Sequence, residues 1–482
     1  MRFVYVKITC SFSIKFLLVL IIVLDYCRLS YEDQLEAGDH CFCKLKGQIG
    51  DCSCNVDTVD HFNNIKIYPR LKSILNKDYF RFYKVNLKKE CPFWSDDSRC
   101  AMRYCHVKPC LEDEIPPGLK GESINHHDHE IEDMAVKYLE KAQHTDCEAE
   151  ADDELGYLNT TISASAYKDF ELWKAYDDAQ DNFCTLPDED GGAQYVDLLL
   201  NPERYTGYKG YSAHRIWRSI YMENCFRPKN IYYEYIPSSK LNGLCLEKRA
   251  FYRVISGLHA SINIHLSSQY LFADKMQFGA LSKDSNEAGN WGHNLIEFKQ
   301  RFSPEETYGE GPEWIRNLYF LYLLELRAVA KAAPFLKNEL YYTGNESEDA
   351  DTRAAVQDFL IVVSSFSDHF NESSMFSGGR EAKKLKEDFR QHFRNISRIM
   401  DCVGCEKCKL WGKLQIQGLG TALKILFSGK FDQLESKDDY MFITKNNKHF
   451  RLRRSEIVAL FNALGRLSTS IYEIENFRQM MR

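Results

Sequence analysis

Leu246-Glu-Lys-Arg-Ala-Phe-Tyr-Arg-Val-Ile-Ser-Gly-Leu-His-Ala-Ser-Ile-Asn-Ile-His-Leu266 is the stretch that sets the architecture. Phe251, Val254, Ile255, Leu258, Ile262 and Leu266 recur at three- and four-residue spacing, so the apolar stripe is helical and runs on toward Phe272. The same period marks Arg215–Cys225, Trp314–Leu336, Asp351–Phe366, Glu381–Met400, Leu410–Phe427 and Ser455–Met480. From Lys168 onward the pattern reads as helix, and no sustained two-residue alternation appears outside the first 90 residues. The expectation is a mainly α-helical body behind a small, cysteine-rich N-terminal piece. No internal repeat is evident. At 482 residues and 44% hydrophobic content the chain can bury a large core; length alone suggests two or three domains, and one large domain is the alternative.

The net charge of −7 gives no general attraction to nucleic acid. That charge is concentrated. Leu111–Leu155 holds 15 acidic and 3 basic residues, a local balance of −12. Such a run reads as a solvated, flexible loop, and its His126, His127 and His129 do not by themselves make a metal site.

The N-terminus carries Arg2, Lys7 and Lys15 around nine consecutive apolar residues, Phe16–Leu24. Nine is far below the roughly 20 needed to span a bilayer and suits a secretory signal over residues 1–30. No Ala-x-Ala pattern precedes Tyr31, so a retained anchor is the alternative. The apolar run Tyr319–Leu324 is broken by Glu325 and Arg327. The C-terminus, Phe477-Arg-Gln-Met-Met-Arg482, has no Lys-Asp-Glu-Leu type address, so retention calls for a partner or a peripheral membrane contact.

Secretion changes the meaning of the 17 cysteines. Behind Cys10 and Cys27, the remaining 15 read as a disulfide framework in an oxidising lumen. Sequons at Asn159, Asn345, Asn371 and Asn395 agree with lumenal exposure. Cys41, Cys43, Cys52 and Cys54 read as a stapled hairpin, and Cys91–Cys110, with four cysteines and two prolines, as loop.

The sharpest local feature is Asp401-Cys402-Val-Gly-Cys405-Glu-Lys-Cys408, between two predicted helices. It has three readings. One is a metal site, although the fourth cysteine of an iron–sulfur run would fall on Gly412. Another is a redox pair at a helix N-terminus, where amides stabilise a thiolate able to attack a disulfide or a flavin. The third is a plain structural disulfide. Cys100 and Cys105, with four residues between them, read as a structural bridge or as a labile, exposed disulfide. Two separated pairs suggest a relay from a mobile outer pair to a fixed inner one. A relay needs an electron sink, and Gly418-Leu-Gly420 is too partial to be a dinucleotide fingerprint.

At this point a resemblance enters. Cys91-Pro-Phe-Trp94, Val107-Lys-Pro-Cys110, Tyr205-Thr-Gly-Tyr-Lys-Gly210, Cys245-Leu-Glu-Lys-Arg-Ala-Phe251, Ser256-Gly-Leu-His-Ala-Ser261 and the run Arg394–Cys405 together resemble the endoplasmic-reticulum oxidoreductin family, over essentially Cys41–Phe477. The resemblance implies one helical domain, residues 31–482, built around FAD, and a thiol oxidase of the endoplasmic reticulum lumen. That oxidase recharges protein disulfide isomerase and passes electrons to oxygen, giving hydrogen peroxide. It implies that Cys100–Cys105 is the shuttle disulfide and Cys405–Cys408 the inner one, with Cys408 facing the flavin. It implies an FAD shell of Arg204, Thr206, Trp217, Ser256, His259 and Arg301. The physics suits those residue types: arginine pairs with diphosphate and tryptophan stacks on a planar ring. Taken singly, Trp217 suits a core position and His259 a satisfied helix histidine. Some members carry a further arginine where this chain has Trp314, with Arg316 close by in sequence. The resemblance implies a regulatory role for Cys147 toward Cys100 and for Cys110 toward Cys105. It also implies the pairings Cys91–Cys402 and Cys225–Cys245, internal pairing of the four N-terminal cysteines, and an odd thiol at Cys184.

Overall fold

The computed structural model describes residues 56–91, 93, 105–120, 191–204, 213, 216, 217, 219–221, 246–272, 290–366, 390, 393–427 and 452–481. The signal, Cys41, Cys43, Cys52, Cys54, Cys100, Cys147, Cys184, Thr206, Cys225, Cys245 and most of the acidic loop lie outside them, as do Asn159 and Asn371.

The protein is predominantly helical. Four long helices form its centre: α4 (Leu246–Ser268), α6 (Gly311–Asn338), α8 (Glu406–Phe427) and α9 (Arg454–Met481). α4 packs along α6 and α8 along α9, while α6 also touches α8 and α9. Every residue of the stripe that predicts α4 is buried. Two glycines let these pairs close: a Cβ at Gly257 would meet the Asn317 carbonyl of α6, and one at Gly418 would meet the Ala459 carbonyl of α9. Around this centre lie α1 (Val56–His61), a π-helical turn (Phe62–Ile67), α2 (Tyr68–Leu75), α3 (Asp78–Arg81), α5 (Leu295–Phe302) and α7 (Glu346–Ser364). Asn294 caps α5, its Oδ1 accepting the N–H groups of Ile296 and Glu297. Asn345, the asparagine of one sequon, caps α7 and is exposed, whereas Asn395, the asparagine of another, is buried in a helix, against the expected exposure.

Strands are where the structure departs from the sequence reading. β1 (Phe82–Val85) pairs antiparallel with β2 (Gln194–Asp197), Phe82 opposite Asp197 and Val85 opposite Gln194. β3 (Tyr270–Phe272) pairs antiparallel with β4 (Asn290–Gly292). β2, β3 and β4 lie beyond residue 90, where no strand is expected. With three or four residues each, they are too short to show an alternation against the surrounding helical period. Residues 56–81, part of the stretch not predicted helical, are almost entirely helix.

No described helix is long and apolar enough to cross a membrane. Within α6 the break in the apolar run is internal: Glu325 is fully buried, and among the described residues neither carboxyl oxygen has a hydrogen-bond partner. Burial pushes its pKa well above the usual carboxylate range.

Candidate redox site

α8 begins immediately after Cys405, which therefore occupies its N-cap. The first turn of any helix exposes backbone N–H groups without intrahelical partners. Here two of them are met by the cysteine segments. Cys405 Sγ accepts the N–H of Cys408 at 3.3 Å, and the carbonyl of Cys105 accepts the N–H of Lys407 at 2.9 Å. Cys105, Cys405 and Cys408 are buried and pack together as one cluster, with Val403 against them. The structure thus brings the second cysteine of the Cys100–Cys105 pair into one buried cluster with both cysteines of the inner pair.

Further fixings hold this arrangement. The turn preceding α8 (Met400–Cys402) is tied by the disulfide between Cys91 and Cys402, which takes Cys402 out of any set of free thiolate ligands. Asp401 and Lys413, both buried, form an ion pair across the same turn. Downstream of Cys105, the chain runs beside β2: Pro109 bridges Val196, and the N–H of Cys110 donates to the Tyr195 carbonyl at 2.9 Å. Asn201 clasps Lys108 through both backbone groups, and its own carbonyl accepts the indole N–H of Trp411 on α8 at 2.9 Å. Cys110 is a free thiol, so the Cys105–Cys110 pairing is absent from this structure. Its pKa is pushed up to about 11, chiefly by burial, with the Asp197 carboxylate adding to it.

A second cluster gathers on α4. The rings of Trp217 and His259 stack with centroids 3.9 Å apart and planes 16° from parallel. Tyr221 Oη lies 3.2 Å from His259 Nδ1. Ser256, one turn before His259, accepts a hydrogen bond from Asn317 Nδ2 at 3.0 Å. Asn263, one turn after His259, accepts from Arg301 Nη1 at 2.7 Å, and Arg301 Nη2 donates to Glu297 at 3.0 Å. Arg204 lies over the Trp291 ring, 5.5 Å from its centroid. Burial, and then the Arg301 charge, lower the His259 pKa to about 3; burial and Arg204 do the same to His265. Both imidazoles are therefore neutral near pH 7. Among the described residues, Arg301 Nε and His265 Nε2 are buried without a hydrogen-bond partner.

Of the residues expected to hold FAD, Trp217, Ser256, His259 and Arg301 are thus tied to one stretch of α4, and Arg204 stands near the α4 C-terminus, 3.5 Å from Gln269. A flat aromatic pair, guanidinium groups and unpaired buried donors are a chemical set that fits a planar ring joined to a diphosphate. Arg316 instead pairs with Glu313 at 3.0 Å. Sequence reasoning missed Asn201, Asn263, Trp291, Glu406 and Trp411. Glu406 lies inside the cysteine motif and Trp411 just beyond it, and both could have been inspected for that reason. Asn201 sits in a stretch with no motif around it.

Comparison with known proteins converges on one family. The description Endoplasmic Reticulum Oxidoreductin 1 matches residues 66–474. The chain is 56% identical over 460 residues to the Ero1-like protein of Drosophila melanogaster, covering 93% of each chain. It is 49% identical over 465 residues to human ERO1-like protein alpha, covering 92% of this chain and 93% of that one. Among solved structures, Ero1p, described as a source of disulfide bonds for oxidative protein folding in the cell, is similar with a TM-score of 0.54 and 28% identity. That match covers 88% of this chain and 98% of Ero1p.

Proposed function

The chain belongs to the Endoplasmic Reticulum Oxidoreductin 1 family of oxidoreductases, and on that footing we propose that it is an FAD-dependent thiol oxidase that oxidises protein disulfide isomerase in the reticulum lumen. The observation that supports this most is the packing of Cys105 against Cys405 and Cys408 at the N-terminus of α8. Three sulfurs in one buried cluster, two of them within one helical turn, are what a disulfide relay requires.

In this reading Cys100–Cys105 meets the substrate. A thiolate of reduced protein disulfide isomerase attacks the bridge, its second thiol resolves the mixed disulfide, and the isomerase leaves oxidised. The outer pair, now a dithiol, reduces the Cys405–Cys408 disulfide in the same two steps. The α8 amides stabilise negative charge on Cys405 Sγ when the inner bridge opens. Arg204, Thr206, Trp217, Ser256, His259 and Arg301 would hold FAD, and the bound flavin would supply the chemistry by which the electron pair of the inner dithiol reaches oxygen as hydrogen peroxide. His259, neutral and stacked on Trp217, contributes a flat uncharged face, while Arg301 contributes the charge. The isomerase sits near about −180 mV, so a modest oxidant suffices to charge it.

The reading extends to the rest of the chain. Residues 1–30 are the signal, 31–482 one domain, 91–110 the shuttle segment and 111–155 the flexible regulatory loop with Cys147. Cys225–Cys245 and the four cysteines of residues 41–54 are structural. A partner, or peripheral association with the lumenal face of the membrane, accounts for retention. The test is oxygen uptake by the purified protein with reduced protein disulfide isomerase: one peroxide per disulfide formed is expected, lost on Cys408→Ala. A protein that binds the isomerase but consumes no oxygen overturns the proposal.

A further inference from the structure

Glu406 is the residue between the inner cysteines whose side chain turns outward to the shuttle segment. Its Oε2 accepts the backbone N–H of Val107 at 2.9 Å, and the same oxygen lies 3.5 Å from His106 Nδ1. In the opposite direction, the Lys407 N–H donates to the Cys105 carbonyl. Residues 105 and 107 on one strand of chain therefore exchange bonds with residues 407 and 406 on the other, and Cys105 is held between them. We propose that Glu406 is a positioning residue, a latch that seats the shuttle cysteine Cys105 on the inner pair for the second exchange of the relay. The inference rests on the relay reading above.

The physical case has three parts. First, the two bonds differ in kind. The Lys407–Cys105 bond is backbone to backbone and is available to any residue at position 105. The Glu406–Val107 bond uses a carboxylate, so it is charge-assisted and shorter-ranged in its geometric demands than a neutral contact. Only the second depends on the side chain at 406. Second, the latch sits where the segment changes partners. Lys108 and Cys110 are fixed to Asn201 and to β2, and Cys105 lies against α8. Val107 is the step between, and its side chain packs against the core edge while its amide is taken by Glu406. Third, the latch is partly open to solvent. The Glu406 side chain is 45% exposed and that of His106 is 90% exposed. The contact can therefore release at small cost when the outer pair turns to the substrate and re-form when it returns, which a buried ion pair could not do.

The exchange that the latch serves balances as follows. One outer thiolate attacks a sulfur of the Cys405–Cys408 disulfide, a new outer–inner S–S bond forms, and the other inner sulfur leaves as thiolate. The second outer thiolate then attacks the outer sulfur of that mixed disulfide. The outer pair ends oxidised, the inner pair reduced, and two electrons and two protons have passed inward. Nothing in this step calls for Glu406 to take a proton; it sets where Cys105 stands.

The experiment compares Glu406→Ala and Glu406→Gln with the parent protein on two substrates: reduced protein disulfide isomerase, which must use the outer pair, and concentrated dithiothreitol, which can reach the inner pair directly. For Glu406→Ala the expected result is a roughly tenfold fall in kcat with the isomerase, an unchanged KM for it, and dithiothreitol turnover unchanged. Glu406→Gln, which keeps an acceptor for the Val107 amide, should recover most of the loss. A thermal midpoint shared by all three proteins shows that folding is not the cause. Isomerase turnover within twofold of the parent for Glu406→Ala overturns the latch, and so does an equal loss with both substrates. If the parent itself oxidises neither substrate, the relay reading fails and the latch falls with it.

Discussion

Asn201 and Lys108 exchange a pair of hydrogen bonds: Asn201 Oδ1 accepts the Lys108 N–H at 2.8 Å, and Asn201 Nδ2 donates to the Lys108 carbonyl at 2.9 Å. Asn201 is almost fully buried, and its own carbonyl holds Trp411 of α8. One residue thus ties the shuttle segment, through its side chain, to the helix that carries the inner cysteines, through its backbone carbonyl. Asn201→Ala removes both bonds and takes these partners from the Lys108 N–H and carbonyl. A loss of about 1–3 kcal/mol in urea unfolding is expected, with slower isomerase turnover. Asn201→Asp, which keeps only the acceptor, should retain part of the stability.

The N-cap position of Cys405 separates its chemistry from its structural part. Cys405→Ser keeps an acceptor for the Cys408 N–H and serine is a good cap, so stability should hold while turnover is lost. Cys405→Ala removes the cap as well, and an additional loss of about 1 kcal/mol is expected. Thermal melting and oxygen uptake on the two variants check both halves.

Folded His259 and His265 have pKa values near about 3, against 6.5 for an ordinary histidine. Between those values the unfolded chain binds the protons that the folded chain refuses. The stabilisation is therefore complete above pH 6.5 and is lost progressively as pH falls toward about 3, with a slope of up to about 1.4 kcal/mol per pH unit for each histidine. Urea titrations across mildly acidic pH should show this slope in the parent protein and a shallower one in His265→Gln. Identical slopes would show that His265 is not the group that titrates.

Asp401 and Lys413 are a buried pair, 4% and 8% exposed, at the turn that carries Cys402. Removing one partner strands the other. Lys413→Met should cost about 3–5 kcal/mol, and replacing both residues by apolar ones should cost far less. A double-mutant cycle in urea measures the difference.

The long helices were legible because each buries a stripe. Phe251 to Leu266 gave α4 its period, and the prediction over Trp314–Leu336 sits inside the observed Gly311–Asn338. The inner cysteine pair was legible from spacing alone, although its redox, structural and metal readings stayed open. What bears on them lies far away in sequence: Cys91 takes Cys402, and Cys105 joins Cys405 and Cys408. Contacts of that range leave no local pattern. The short strands β2, β3 and β4 are set by pairing with distant chain, and Asn201 by a backbone it happens to meet, so neither could be read from neighbours. The grouping of Ser256 and His259 on one helix face was legible, whereas the reach of Arg301 to Asn263, one turn further, was not.

The proposed oxidase requires a flavin between the inner cysteines and oxygen, and the visible absorption spectrum of purified residues 31–482 tests that requirement most directly. The prediction is a flavin spectrum that survives desalting, bleaches when reduced protein disulfide isomerase is added without oxygen, and is weakened by Trp217→Ala. A colourless, well-folded protein that takes up no added FAD would contradict the account.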